Sequence, residues 1–247
     1  VGACRELGEA LGLDFVPRRI EGYDISNTQG VLSVASMVVA IDGEAARKEY
    51  RIFRIKTVEG ANDFASMYEV ITRRLTRATQ EREALAKEGK LPAGGKGLSG
   101  FADLPDLILI DGGPQQLRFA REAMLKAGYN IPMFGLAKQL EEIFLPNQEE
   151  SILLDRKSPA LHLIQRIRDE AHRFGITHHR DLRQKASMHS TLEDIPGIGA
   201  TRRRALLTHF KSVANLASAT PEELCAVEGI GKVQAKTIWE YYHQKPE

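Results

Sequence analysis

One short unit, apolar–x–Gly–apolar–Gly, is written twice near the C-terminus of this 247-residue chain, as Ile195-Pro196-Gly197-Ile198-Gly199 and as Val227-Glu228-Gly229-Ile230-Gly231. Its two glycines can take positive φ, so the unit suits a tight turn. Each copy opens a helical stretch, where backbone N–H groups have no partner inside the helix and the dipole favours negative charge. Gly-x-Gly alone also serves plain helix packing. The doubling, with matched flanks Ile195/Val227 and Ile198/Ile230, favours a pair of anion-binding turns. Two phosphate contacts on one small domain imply a polymer of phosphates, that is, nucleic acid. Gly197, Ile198, Gly199, Thr201 and Arg202 in the first copy, and Gly229, Ile230, Gly231 and Lys232 in the second, are the candidate DNA-binding residues. Arg203 and Arg204 lie beside them.

The rest of the composition is that of an ordinary globular chain, 43% hydrophobic and 27% charged. No apolar run approaches the roughly 18 residues that span a bilayer, and no secretory signal opens the chain. Val1 in place of Met leads us to expect a piece of a longer protein. Cys4 and Cys225 have no CxxC or CxxH neighbour, which reads as two reduced thiols of a cytoplasmic protein rather than a zinc site. The formal net charge of +1 is uninformative, but its distribution is not. All the histidines lie from His162 onward, and Arg166, Arg168, Arg173, Arg180, Arg183 and Lys185 outnumber the acids among them.

Along the chain, a short helix over 5–11 precedes strands over 20–26, 31–41 and 50–56, joined by the turn-forming residues Asn27–Gly30 and Asp42-Gly43. This predicts an antiparallel meander. Residues 63–87 carry helical periodicity. Residues 89–100 form a glycine-rich loop with no assigned role. The run 104–110 is apolar throughout most of its length, as for a strand buried on both faces. It exits at Asp111-Gly112-Gly113-Pro114 into a helix over 115–127. A strand over 131–137, a hairpin of 143–145 with 151–154, and a helix over about 158–174 follow. Residues 187–191 read as a linker, and the remainder as helices, with Thr220-Pro221-Glu222-Glu223 as a capping box. The order fits an α/β fold, a ribonuclease H-like mixed sheet flanked by helices, followed by a small all-α domain. The predicted domains are 1–186 and 187–247.

Asp24 lies mid-strand, where a carboxylate is costly unless it is paired, binds a cation, or faces water at an edge. Asp111 ends the fourth strand, where open α/β sheets bind ligands and where plain turn residues also occur. In this order the first and fourth strands are neighbours, so both carboxylates can reach one Mg²⁺ or Mn²⁺. Such an ion stabilises charge on a phosphoryl group and activates water. His172 borders the apolar stripe of the late helix, a place for a packed or solvated histidine as well as for a third site residue. Asp63 either caps its helix, as Asn62 also could, or supports the metal site. Lys138, after the strand ending at Ala137, and Arg168 are candidate phosphate contacts.

On Ile20–Gly30 (IEGYDISNTQG), Ala61–Met67 (ANDFASM), Pro105–Gln116 (PDLILIDGGPQQ), Gly135–Leu145 (GLAKQLEEIFL), Gln165–His179 (QRIRDEAHRFGITHH) and the paired turns, the chain resembles the C-terminal half of the UvrC family, nuclease subunits of the bacterial excision-repair complex. The resemblance implies an RNase H-like endonuclease domain followed by a tandem helix-hairpin-helix domain. It places the catalytic set on Asp24, Asp111 and His172, with Asp63 a further acidic residue, and the divalent cation on the first three. The implied reaction is hydrolysis of a DNA phosphodiester 5′ to a bulky lesion in double-stranded DNA. The implied partners are UvrB, through a segment not visible here, and the UvrA-dependent recognition pathway. The family's N-terminal GIY-YIG nuclease, which makes the 3′ cut, is not visible either. Two rival expectations stand beside this one: a non-catalytic DNA-binding module, and a junction or RNA-hybrid nuclease on the same fold.

Overall fold

The computed structural model describes residues 2–28 and 31–243; of the expected Asn27–Gly30 turn, Gln29 and Gly30 lie outside them. The chain divides into two compact units, residues 1–176 and 177–247.

In the first unit, α1 (Gly2–Ala10) leads into β1 (Arg19–Thr28), β2 (Val31–Ile41), the short β3 (Glu44–Ala45) and β4 (Arg51–Arg54). Then come α2 (Asp63–Lys87), β5 (Leu107–Asp111), α3 (Pro114–Lys126), β6 (Met133–Leu136), β7 (Ile143–Phe144) and the first half of α4 (Pro159–Glu193), whose residues from 177 on belong to the second unit. The strands form one mixed sheet in the order β3-β2-β1-β5-β6-β7, with β4 also paired to β2. β1, β2 and β4 are antiparallel neighbours, as the meander predicts, and β5 runs parallel to β1 and to β6. Every residue of β5 is buried, as a central parallel strand requires. The expected 143–145/151–154 hairpin is reduced to one bridge, Ile143 to Ile152. Among the described residues, only Ile152 of the second segment reaches β7, while Leu153 is left exposed.

Side chains alternate across the sheet and feed two cores. Ile20 of β1 and Leu107 and Leu109 of β5 pack with α1 and α4, through Leu7, Ile164 and Ala171. Tyr23, Ile108 and Ile110 face the other way, onto Ile71 of α2 and Leu117 of α3. By the same parity Asp24 and Asp111 belong to the α4 face. Gly22 lies on that face where α4 comes closest: a Cβ there would sit 2.5 Å from Ile167 Cγ2 and 3.3 Å from Val38 Cγ2. Gly22→Ala is therefore expected to lower stability by about 1–3 kcal/mol, the usual cost of overpacking. In urea melts the losses of Gly22→Ala and Ile167→Ala should sum to more than the loss of the double variant, because the second removes the clash made by the first.

Helix α4 extends well beyond the predicted 174, through residues 187–191, so no linker exists there. Between Gly175 and Pro196 there is no glycine or proline to stop it, and Met188 and Leu192 are fully buried. These two join the core of the second unit, made by α5 (Ala200–Phe210), α6 (Val213–Ser218), α7 (Pro221–Cys225) and α8 (Lys232–His243) around Ile195, Ile198, Leu206, Leu224, Val227, Ile230 and Ile238. The capping box of α7 forms as predicted, with Thr220 and Glu223 exchanging hydrogen bonds. Among the described residues, no helix is long and apolar enough to cross a membrane.

Candidate active site and nucleic-acid interface

β1 and β5 are in parallel register with Tyr23 opposite Ile110, so the next residues, Asp24 and Asp111, stand side by side on adjacent strands. Both are almost fully buried, at 3% and 4% exposure. Asp24 has a partner: His172 Nδ1 lies 3.0 Å from its Oδ2. A carboxylate oxygen accepts, so Nδ1 is the donor of this pair and Nε2 faces away from it. Ser36, opposite Asp24 on β2, donates to the carbonyl of Ala171 at 2.7 Å and so holds α4 one residue before His172.

Asp111 has no such relief. Neither of its carboxylate oxygens has a hydrogen-bond partner among the described residues. The nearest cation is the exposed Lys138, whose Nζ is 3.8 Å from Oδ2. Burial, and next the negative charge of Asp24, push the Asp111 carboxyl up to about 6, against a smaller opposing pull from Lys138. A buried, unpartnered acid beside a second acid is the arrangement that a cation relieves. Among the described residues no group of three or more His, Cys, Asp or Glu is disposed to hold a metal ion. Two carboxylates nevertheless suit Mg²⁺ or Mn²⁺, which keep several waters and take the remaining oxygens from a phosphate. The donor set fits such an ion through Asp24 and Asp111.

The other predicted residues fall less centrally. Asp63 is the first residue of α2, but the cap is Asn62, whose side chain accepts from Ala65 N at 3.0 Å. Asp63 instead accepts a hydrogen bond from Asn27, near the end of β1. Arg168 is mostly buried and committed to Glu141 and Asp169, at 3.3 and 2.9 Å, so it is not a free phosphate contact. With Gln165 it braces Glu141, a residue in the left-handed region (φ 54°), and so the loop that carries Lys138. Sequence reasoning missed this brace, since nothing in the spacing of 138–141 and 165–168 brings the two segments together.

It also missed a buried charge network beneath the site. Glu21, two strand positions after Arg19, receives Arg74 from α2 through Nε (3.1 Å) and Nη2 (2.8 Å), Tyr23 Oη (2.6 Å) and Arg19 Nη2 (3.2 Å). Arg74 further donates to the carbonyls of Phe101 and Asp103, so α2 is tied both to β1 and to the segment entering β5.

In the second unit, Gly197 and Gly229 adopt positive φ, 77° and 81°. Gly199 and Gly231 do not; Gly199 is an extended N-cap (φ −75°, ψ 174°), so one glycine per turn carries the left-handed conformation rather than two. Ile198 and Ile230 are core residues, and their N–H groups are taken by Ile195 and Val227 carbonyls. That leaves them no side-chain role in binding. Gly231 N–H is taken by Gln234 Oε1 at 3.1 Å. Thr201 and Lys232 are exposed at the starts of α5 and α8. Arg202 is occupied: Nε donates to Gly229 O and Nη1 to Gly197 O, each at 2.9 Å.

Comparison with known proteins agrees with this division. Residues 8–176 match the family described as UvrC RNAse H endonuclease domain, and residues 190–240 match the SAM-like Helix-hairpin-helix tandem. The chain is 48% identical over 246 residues to UvrABC system protein C of Thermobifida fusca (strain YX), covering 96% of this chain and 38% of that protein. It is 47% identical over 246 residues to that of Gloeobacter violaceus, covering 98% of this chain and 36% of that protein. It thus spans little more than a third of these relatives. Among solved structures, Ciona intestinalis endonuclease V bound to DNA is similar over 56% of each chain, at 19% identity and a TM-score of 0.29, a likeness too slight to build on.

Proposed function

Because this chain belongs to the UvrC family, by the match of residues 8–176, we propose that it cuts a DNA phosphodiester with a divalent cation held by Asp24 and Asp111, on the 5′ side of a bulky lesion. The observation that carries this reading is the buried Asp111 carboxylate, held beside Asp24 with no hydrogen-bond donor on either oxygen and only the exposed Lys138 near it. When bound, Mg²⁺ or Mn²⁺ supplies Lewis-acid stabilisation of the phosphoryl charge and an acidified water. Asp24 does double duty, orienting His172 through Nδ1 as well as ligating. His172 Nε2 takes the proton of the attacking water, so that the new O–P bond forms as the bond to the 3′-oxygen breaks. Lys138, exposed and close to Asp111, contacts the scissile phosphate. Asp63, through Asn27, is a positioning residue at the end of β1 rather than a ligand.

The catalytic part falls within 1–186 and the DNA-gripping part within 187–247. The grip is made by the turns at Gly197 and Gly229 with Thr201 and Lys232, and addresses the backbone, so it does not read sequence. Lesion choice then comes from UvrB and the UvrA-dependent pathway, in the cytoplasm. The logarithm of duplex affinity should fall linearly with the logarithm of salt, with a slope of about −0.9 per phosphate contacted, and hardly vary with sequence. Fluorescence anisotropy on unrelated duplexes across a salt series reads this. A slope near zero, or strong preference for one unmodified sequence, removes the gripping role.

A further inference from the structure

Arg202 follows a glycine turn, and its residue type in that position reads as a phosphate contact. Its geometry says otherwise. Two different nitrogens of one guanidinium donate to two backbone carbonyls, Gly197 O and Gly229 O, both at 2.9 Å. These two carbonyls belong to the left-handed glycines of the two turns, which are separated in sequence by α5, α6 and α7. The aliphatic stem lies along the second turn, with Arg202 Cγ 3.9 Å from where a Gly229 Cβ would be. No other side chain among the described hydrogen bonds joins the two turns.

We propose that Arg202 is a positioning residue that clamps the two glycine turns at a fixed separation, so that both meet one DNA backbone together. This rests on the DNA-gripping reading of the turns. Two weak sites held at the right spacing bind as one strong site, because the second contact becomes intramolecular. Without the clamp each turn keeps its local geometry but the pair loses its common register. A planar guanidinium can serve two carbonyls with donors on separate nitrogens. A lysine offers one rotatable ammonium and cannot reproduce that fork, although it keeps the charge and most of the stem.

That difference supplies the test, with the 247-residue chain and undamaged duplex DNA. Arg202→Lys and Arg202→Ala are both expected to lose affinity by about tenfold or more, and the salt slope of each should shrink by more than the ~0.9 of a single phosphate, because a whole turn disengages. Lys232→Ala is the comparison, since an exposed phosphate contact should lower the slope by about 0.9 and no more. In the unmutated chain, the Arg202 Nε–H resonance should be protected without DNA and shift little when DNA is added. The clamp is overturned if Arg202→Lys binds like the parent, or if that resonance becomes protected only with DNA. Failure of the underlying reading looks different: parent and Lys232→Ala would both bind without salt dependence.

Discussion

Asp111→Asn is expected to lose strand cutting by on the order of a thousandfold or more and at the same time to become more stable. The first effect follows from removing one of the two carboxylates proposed to hold the cation, a loss of at least about 4 kcal/mol of transition-state stabilisation. The second follows from burial. Asp111 is charged at neutral pH without a hydrogen-bond partner and beside Asp24, so its charge opposes folding. Its folded value, about 6, lies above the ordinary 3.8 of an aspartate. The folded state therefore binds the proton more tightly than the unfolded state, and this group's destabilising effect grows as pH rises from about 4 to about 6 and is complete above that. The advantage of Asp111→Asn over the parent should accordingly be largest above pH 6 and vanish below pH 4. Urea midpoints with chelator present, taken across that range, read the difference. A residue retained for packing would show the reverse, less stability with activity kept.

Arg74→Met is expected to be the most damaging change to the fold. It leaves Glu21, wholly buried, with only Arg19 and Tyr23, and loss of one partner of a buried ion pair costs about 3–5 kcal/mol. For a unit of this size that lowers the melting temperature by roughly 2–4 °C per kcal/mol. The pH behaviour has the opposite sign to that of Asp111. Burial pushes the Glu21 carboxyl up, but the Arg74 charge and hydrogen bonds, with Arg19 and Tyr23, outweigh it and hold it below its usual range. The stability it contributes is present above the ordinary glutamate range and is lost as pH falls through the lowered value. In Arg74→Met burial is offset only by Arg19 and Tyr23, so Glu21 takes up its proton at higher pH than in the parent, and the gap between variant and parent should narrow toward acid. Arg74→Met with Glu21→Leu should recover part of the stability, because it leaves no unpaired carboxylate and Arg19 keeps Glu49 and Asp103, although Tyr23 Oη loses its acceptor. Denaturant melts of the single and double variants decide it. Equal losses in both would mean that Arg74 acts through its carbonyl contacts to Phe101 and Asp103 alone.

Much of this was legible in the residues because local chemistry dictated it. The apolar run before Asp111 reads as a buried strand, the Asp42-Gly43 turn fits a meander, and that order put β1 beside β5. Asp24 and Asp111 on one face then followed from parity. What stayed hidden was set by distant partners. Arg74 shows an ordinary position in a helical repeat, and only the packed structure reveals its tie to Glu21. Arg168 and Arg202 look like free cations because the carboxylates and carbonyls that claim them lie far off in sequence or on the backbone. The end of α4 was misjudged for a related reason. Small polar residues around Ser187 resemble a linker, but Met188 and Leu192 are taken up by the hairpin core and hold the helix.

In the proposed reaction a cation held by Asp24 and Asp111 touches the scissile phosphate. The most direct test is incision by the 247-residue chain of a pre-nicked lesion duplex whose scissile phosphate carries sulfur in place of a non-bridging oxygen. Mg²⁺ binds sulfur poorly and Mn²⁺ accepts it, so cutting should collapse in Mg²⁺ and return in Mn²⁺, and Asp24→Asn should fail in both. Equal cutting of the sulfur and oxygen substrates in Mg²⁺, or full Mn²⁺ rescue of Asp24→Asn, would contradict it.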